Sequence, residues 1–392
     1  MINGRRGNPE GFQARVQKQN LSLATQAILA ASRTRPADAA LRGVLRAAKG
    51  LSAADGREVA GAVFSYFRWH QWLSAHGTEE AILRAVELAE RFRIAPKTFS
   101  DDDLAARAVP EWASLEMDVS AAWLRTLQST PKLWLRAKRG RGPTICEHLW
   151  DCEPYGITPL PDAYCYTGDR DLFQTPEFQA GDFEIQDISS QAVGLVCAAV
   201  PGEKWWDACA GEGGKLLHLS DLMRNKGLII ASDRSEPRLR RLKQRAARAG
   251  VFNYRVVTWN GGRKLPVKTL FDGVLVDAPC SGIGTWQRNP HARWTTTPSD
   301  IDDLAAIQRD LLNHAAAAVR PGGKLIYAVC TLARKETVEN VAAFQESQPG
   351  FEPLPISNPL TPGAPLGAHV VMFPQYTAGN GMFVAAWKRA KA

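Results

Sequence analysis

The chain has 392 residues, 45% hydrophobic and 22% charged, which describes a globular protein with apolar surface for two or three cores rather than one. No run of about eighteen apolar residues occurs and the start, Met1 to Asn20, is polar and basic, so neither a membrane helix nor a secretory signal is expected. A net charge of +8 with a pI near 9.2 favours a polyanionic partner, and an odd seven cysteines fit a reducing, cytoplasmic setting without a disulfide framework.

Residues 1–20 read as a flexible basic arm carrying Arg5, Arg6, Arg15 and Lys18. From 21 to 128 apolar residues recur at three and four, as in Leu41, Val44, Leu45 and Ala48 and again in Val59, Val63, Phe64 and Phe67, which predicts an all-helical domain. Pro36 is placed to start one helix and Asp55 to cap the next. Tyr66, Arg68, Trp69, His70 and Trp72 form an aromatic cluster, read as core with Arg68 solvated, or as a base-stacking surface if exposed. Residues 129–180 read as a small α+β subdomain that contacts RNA. Its short strand alternates Leu133, Trp134, Leu135 and Ala137 with Lys132, Arg136, Lys138, Arg139 and Arg141, a pattern suited to phosphates. Cys146, His148 and Cys152 lack the paired spacing of a zinc site, so no metal is expected.

From 181 to 392 the pattern becomes strand, turn, helix, repeated. Strands are expected over 205–209, 228–232, 255–259, around 274–276 and over 324–330. Helices are expected over 215–223, 236–249, 301–319 and 335–345, with Met372 to Pro374 and Met382 to Trp387 closing as a hairpin. Such alternation predicts an α/β fold, a doubly wound Rossmann-like parallel sheet whose ligands bind where strands end.

The candidate chemistry lies at those ends. After the first strand, Gly211, Gly213 and Gly214 open a helix, and Asp233 ends the second strand, an arrangement that suits a nucleoside cofactor. Asp277-Ala-Pro-Cys280 ends the fourth strand and Cys330 the fifth, which brings two thiols to adjacent strand ends. The stretch Phe271 to Trp294, a strand to Asp277 and then a loop with Arg288 and Trp294, reads as the place where a base is held. A thiol pair suits methylation of pyrimidine carbon 5: addition of a thiolate to carbon 6 makes the ring nucleophilic, and removal of the carbon 5 proton later expels the thiol. Asp277 is placed to hydrogen-bond the base edge.

These residues bear a family resemblance. Asp207-Ala-Cys-Ala-Gly-Glu-Gly-Gly-Lys215, Asp277-Ala-Pro-Cys-Ser-Gly-Ile-Gly-Thr285, Arg288-Asn-Pro290 with Trp294, and Tyr327-Ala-Val-Cys-Thr331 followed by Glu339-Asn340 resemble the Sun/Nop (Fmu) family of S-adenosylmethionine-dependent RNA cytosine-C5 methyltransferases. Gln186 to Ser190 resembles the segment before that family's first strand, and the stretches Arg35 to Asp38 and Asp55 to Arg57 resemble the NusB-like domain of its bacterial ribosomal RNA members. The resemblance implies Cys330 as nucleophile and Cys280 as the thiol that helps release product. It implies S-adenosyl-L-methionine held by Cys209, Ala210, Gly211, Glu212, Gly213, Gly214, Lys215, Asp233 and Asp277. Lys215, Arg288, Arg136 and Lys138 are the expected RNA contacts, and a monomer acting on 16S ribosomal RNA is expected.

Two departures stand out. Gly211-Glu212 replaces the family's Ala-Pro, and Asn260-Gly261-Gly262 stands where the family often has an acid near adenine, so either Asn260 or the Gly261 backbone takes that place. Two other readings remain open here: a catalytically silent RNA-binding scaffold, or a DNA cytosine-C5 methyltransferase using Cys280 as nucleophile with Glu339-Asn340-Val341 recruited.

Overall fold

The computed structural model describes residues 16–73, 76–156 and 160–391. Arg5, Arg6 and Arg15 of the expected arm lie outside the described residues, while Lys18 already opens the first helix, Lys18–Ala30. The chain forms two units. One contains 1–130 together with 286–296, the other 131–285 together with 297–392.

The first unit is helical, through Lys18–Ala30, Ala37–Ala47, Ala53–Arg68, Thr78–Ile94, Asp101–Arg107, Ala113–Glu116 and Ala121–Gln128. The apolar stripes meet in a core of Ala24, Ala27, Leu41, Val59, Val63, Phe67 and Ile82. Pro36 directly precedes its helix, but Ser52 rather than Asp55 is the cap of Ala53–Arg68. Its hydroxyl accepts from Asp55 N at 3.1 Å while Asp55 accepts from Ser52 N at 3.1 Å, a reciprocal capping box.

The segment 286–296 completes this unit. It contains the helix Pro290–Thr295, and the side chain of Arg293 is wholly buried. Arg293 Nη1 donates to the carbonyls of Ala108 at 2.8 Å and Arg68 at 3.4 Å, and Nη2 to those of Leu127 at 3.2 Å and Trp286 at 3.4 Å. Arg68, Ala108 and Leu127 lie at the carboxyl ends of three different helices, where carbonyls lack helical partners and the dipoles end negative. One cation therefore caps three helices. Burial, with help from Arg68, lowers the Arg293 pKa to about 9, which still leaves it charged at neutral pH. Arg68 itself is buried rather than solvated, and its Nη2 lies 3.3 Å from the Gln287 carbonyl oxygen. The neighbouring Trp69 is fully buried, and Trp294 Nε1 donates to Phe67 O at 2.6 Å.

The second unit holds two sheets. The smaller is antiparallel, with strands β1 (Leu133–Ala137), β2 (Cys152–Pro154), β3 (Ala163–Tyr166) and β4 (Phe183–Ile185) in the order β2-β3-β1-β4. The larger contains β5 (Lys204–Asp207), β6 (Leu228–Asp233), β7 (Tyr254–Thr258), β8 (Phe271–Asp277), β9 (Val319–Val329), β10 (Phe351–Pro353), β11 (His369–Met372) and β12 (Met382–Arg389). Its order is β10-β12-β9-β8-β5-β6-β7, with β11 also on β12. The strands from β7 to β9 are parallel, and β12 closes that sheet antiparallel to β9.

This is the expected doubly wound Rossmann-like sheet, with the expected hairpin between β11 and β12. Val274, Leu275 and Val276 in β8 and Leu325 to Val329 in β9 are fully buried, as continuous apolar runs in a sheet covered on both faces must be. The chain proceeds from β5 to β6 and β7 on one side, then to β8 and β9 on the other. Strand order thus reverses between β5 and β8, and a crevice opens where these two strands end at Asp207 and Asp277.

Candidate active site

A cleft of about 700 Å³ lies at those strand ends, and its lining includes Gly211, Lys215, Asp233, Asn260, Asp277, Cys280 and Cys330. The volume is within the range of small-ligand sites. The turn after β5 is shaped by glycine. Gly213 has φ +86°, and a Cβ there would come within 2.8 Å of Leu242, so the helix Gly214–Leu222 can approach its neighbour only without a side chain at this point. Gly211 N donates to Asp233 Oδ2 at 3.0 Å, which ties the turn to the end of β6. The departure at Glu212 is accommodated by basic partners: its carboxylate meets Arg241 Nε at 2.7 Å, and its carbonyl accepts from Arg245 at 3.2 Å.

Asp233 Oδ1 accepts from Ser235 N at 2.8 Å, and each of its carboxylate oxygens retains a further lone pair for a sugar hydroxyl. Beyond β7, Asn260 is exposed at the cleft, with its Oδ1 accepting from Gly262 N at 3.1 Å, while Trp259, Ile307 and Leu311 give the cleft apolar wall. An acid for a ribose beside an amide and an apolar slot for a base is a donor set that fits a nucleoside cofactor. Cys209 and Ala210 also line this end, and burial pushes the Cys209 thiol up, away from reactivity.

At the other end the two thiols meet. Cys280 Sγ and Cys330 Sγ are 3.3 Å apart, on the loops that follow β8 and β9. Two backbone bonds align these loops, from Ala278 N to Ala328 O at 3.0 Å and from Gly284 N to Cys330 O at 3.1 Å. Gly284 is packed so closely that a Cβ would lie 2.1 Å from Gly381 O. The shared hydrogen bond pulls Cys330 below the usual thiol value and pushes Cys280 well above it, which makes Cys330 the easier of the two thiols to ionise. Lys215 adds positive charge beside Cys330 and is itself held by Asp277, with Nζ to Oδ2 at 2.6 Å. Lys215 is 9% exposed; burial pulls its pKa down, but Asp277 outweighs this and holds it above the usual lysine value.

Of the expected RNA contacts, Lys215 lines this cleft, while Arg136 and Lys138 do not. Arg136 is a correction: it is 5% exposed, its Nε donates to Gln186 at 2.7 Å and its Nη1 meets Asp221 at 3.3 Å, so its charge faces inward. Lys138 is exposed, with Nζ 3.1 Å from Ala249 O, and neither residue lines the cleft. Arg288 falls in the segment 286–296, which belongs to the helical unit. The strand to Asp277 is as expected, but the loop after it is divided: its part up to Thr285 belongs with the thiols, and 286–294 belongs to the helical unit.

Residues that sequence reasoning missed include Asn380, whose N–H donates to both Asp187 oxygens at 3.0 and 3.1 Å on the cleft wall. Glu336 was also missed. Glu339 is exposed, whereas Glu336 is fully buried against the thiol loops. An acid in the short turn after Cys330 was the available signal.

Residues 195–388 match the model of the family described as 16S rRNA methyltransferase RsmB/F. Probable ribosomal RNA small subunit methyltransferase B of Synechocystis sp. is 34% identical over 232 residues, covering 56% of this chain and 50% of that protein. Ribosomal RNA small subunit methyltransferase F of Escherichia fergusonii is 32% identical over 268 residues, covering 64% of this chain and 55% of that protein. The chain spans about half the length of these curated relatives. In fold it is similar to the crystal structure of PH0851, with TM-score 0.78 and 21% identity over 96% of this chain and 100% of that one.

Proposed function

We propose that the chain belongs to the RsmB/F family of 16S rRNA methyltransferases, whose model residues 195–388 match, and that it methylates carbon 5 of a cytosine in small-subunit ribosomal RNA, with Cys330 as nucleophile. The observation that carries this reading is the thiol pair, 3.3 Å apart and pushed in opposite directions. S-adenosylmethionine, held by the Gly211 to Lys215 turn, Asp233, Asn260 and Asp277, supplies the methyl group. The Cys330 thiolate adds to carbon 6 of cytosine, and the displaced ring electrons make carbon 5 nucleophilic. Asp277, oriented by Lys215, takes the base edge and stabilises the charge that develops on the ring.

Once the Cys330 sulfur is bonded to carbon, the thiolate that kept Cys280 protonated is gone. Cys280 then passes its proton to water and, once carbon 5 has taken the methyl group, the Cys280 thiolate accepts the proton on carbon 5; the electron pair left behind expels Cys330 as thiolate and breaks the carbon–sulfur bond. A Cys280 nucleophile, as DNA methylation would need, runs against this order, because Cys280 is the harder thiol to ionise. Residues 21–128 are assigned as a NusB-like RNA-binding domain and 129–180 as an RNA-contacting subdomain using Lys138, which the net charge of +8 supports.

The test is transfer of labelled methyl from S-adenosylmethionine to small-subunit ribosomal RNA, mapped by bisulfite sequencing. One protected cytosine is the expected result. RNA binding with neither cofactor binding nor transfer favours the silent scaffold instead.

A further inference from the structure

The two peptides that flank Cys280 are each held by a buried side chain. Gln308 Nε2 donates to Pro279 O at 2.9 Å, and Ser281 N donates to Glu336 Oε1 at 2.9 Å. Gln308 and Glu336 are bonded to one another at 2.8 Å. The same carboxyl reaches the residue after Cys330: its Oε2 lies 3.0 Å from Thr331 Oγ1 and within hydrogen-bond distance of Ser281 Oγ. Glu336, Gln308 and Thr331 are all fully buried. One carboxyl group therefore fixes the chain beside both thiols.

The protons can be counted. Ser281 Oγ and Thr331 Oγ1 are 2.8 Å apart, so with Glu336 Oε2 they form a triangle in which each oxygen is within bonding distance of the other two. Both hydroxyls donate to Oε2, and a hydrogen bond on the third edge, between the hydroxyls, needs one proton more than they supply. Glu336 Oε1 already accepts from Ser281 N and Gln308 Nε2, so that further proton would have to sit on Oε2. Burial favours the same state, pushing the Glu336 carboxyl up against the hydrogen bonds that pull it down. The titratable groups facing it are Cys280 and Cys330, both of which a negative Glu336 would make harder to ionise, and the phenol of Tyr327, 2.6 Å from the Glu336 carbonyl oxygen. Beyond these, Arg309 approaches through Asn340 at 3.1 Å, Lys335 on the same turn pairs with Asp302, and Asp277 and Lys215 face Cys330 from the other side.

We infer that Glu336 is a positioning residue, held in its protonated form, that locks Ser281 to Thr331 so the two thiols meet without a second negative charge beside the Cys330 thiolate. The inference rests on the reading of Cys330 as nucleophile. Its primary test needs no RNA. Alkylation of Cys330 by iodoacetamide, assigned by peptide mass spectrometry, is followed against pH in wild type and Glu336→Gln. The amide reproduces the neutral acid, so the midpoint stays within about 0.3 pH unit; a fall of about one unit means that the wild type carries a charge there, and overturns the inference.

Methyl transfer supplies the second arm. Glu336→Ala is expected to lower kcat about 10- to 100-fold at unchanged KM for S-adenosylmethionine, which also reports an intact fold, and Glu336→Gln restores most of the loss. Wild-type kcat in Glu336→Ala, or a Gln variant as slow as Ala, contradicts the lock. Should wild type transfer no methyl at all, the proposed function fails while the alkylation result still decides the charge of Glu336.

Discussion

The loops that follow β8 and β9 each end in a half-buried cysteine, yet they prepare it for opposite work. The Cys280 loop is compact, bonded on both sides of its thiol by Gln308 and Glu336, and the chain beyond Thr285 passes into the helical unit. The Cys330 loop stays within its own unit, turning through Arg334–Glu336 into the helix Val338–Ser347. One thiol is pushed up and the other down by the same 3.3 Å contact, with Lys215 on the side of Cys330. The role of a cysteine here is set by what surrounds it rather than by its residue type or its strand position.

The largest expected effect tests that asymmetry directly. Cys330→Ala should lower methyl transfer at least about 10³-fold, measured with labelled cofactor, because no other group at the site is prepared as a nucleophile. Lys215→Met should cost about 10²-fold in kcat/KM, since it removes the cation that favours the Cys330 thiolate and orients Asp277. Arg293→Met leaves carbonyls at three helix ends without their donor and should destabilise the helical unit by about 2 kcal/mol in urea denaturation. The alkylation midpoint of Cys330 should not move in that variant, since Arg293 anchors only the continuation of the Cys280 loop.

The smallest effect is a shift in pH. The hydrogen bond with Cys280 lowers the Cys330 pKa, so Cys330 should react at lower pH than an ordinary thiol. In Cys280→Ala the donor is lost, and the Cys330 alkylation curve should move to higher pH by about one unit.

Much of this site could be read in the residues because its signals are local. Gly211 to Lys215, Asp233, Asp277 and Cys280 each sit at a strand end marked by an apolar run that stops at Gly, Pro or Asp, Cys330 follows the apolar run Leu325 to Val329, and the parallel sheet brings such ends together. Where the reading failed, partners distant in sequence decided the outcome. Arg136 and Lys138 are both basic residues beside the same strand, but Gln186 and Asp221, 50 and 85 positions away, take Arg136 into the interior. Arg293 looked like part of a base-holding loop until the carbonyls of Arg68, Ala108 and Leu127 claimed it. Glu336 lay in plain view six residues after Cys330, but only the packing of the helix Pro298–Ala316, which brings Gln308, shows what its carboxyl holds.

The central claim is that the bond to the base belongs to Cys330 and its release to Cys280. Cys280→Ala, incubated with small-subunit ribosomal RNA and S-adenosylmethionine and run on a denaturing gel, should accumulate a covalent protein–RNA complex that maps to the Cys330 peptide and vanishes in the Cys280→Ala/Cys330→Ala double variant. A complex that forms in Cys330→Ala and maps to Cys280 would contradict the assignment.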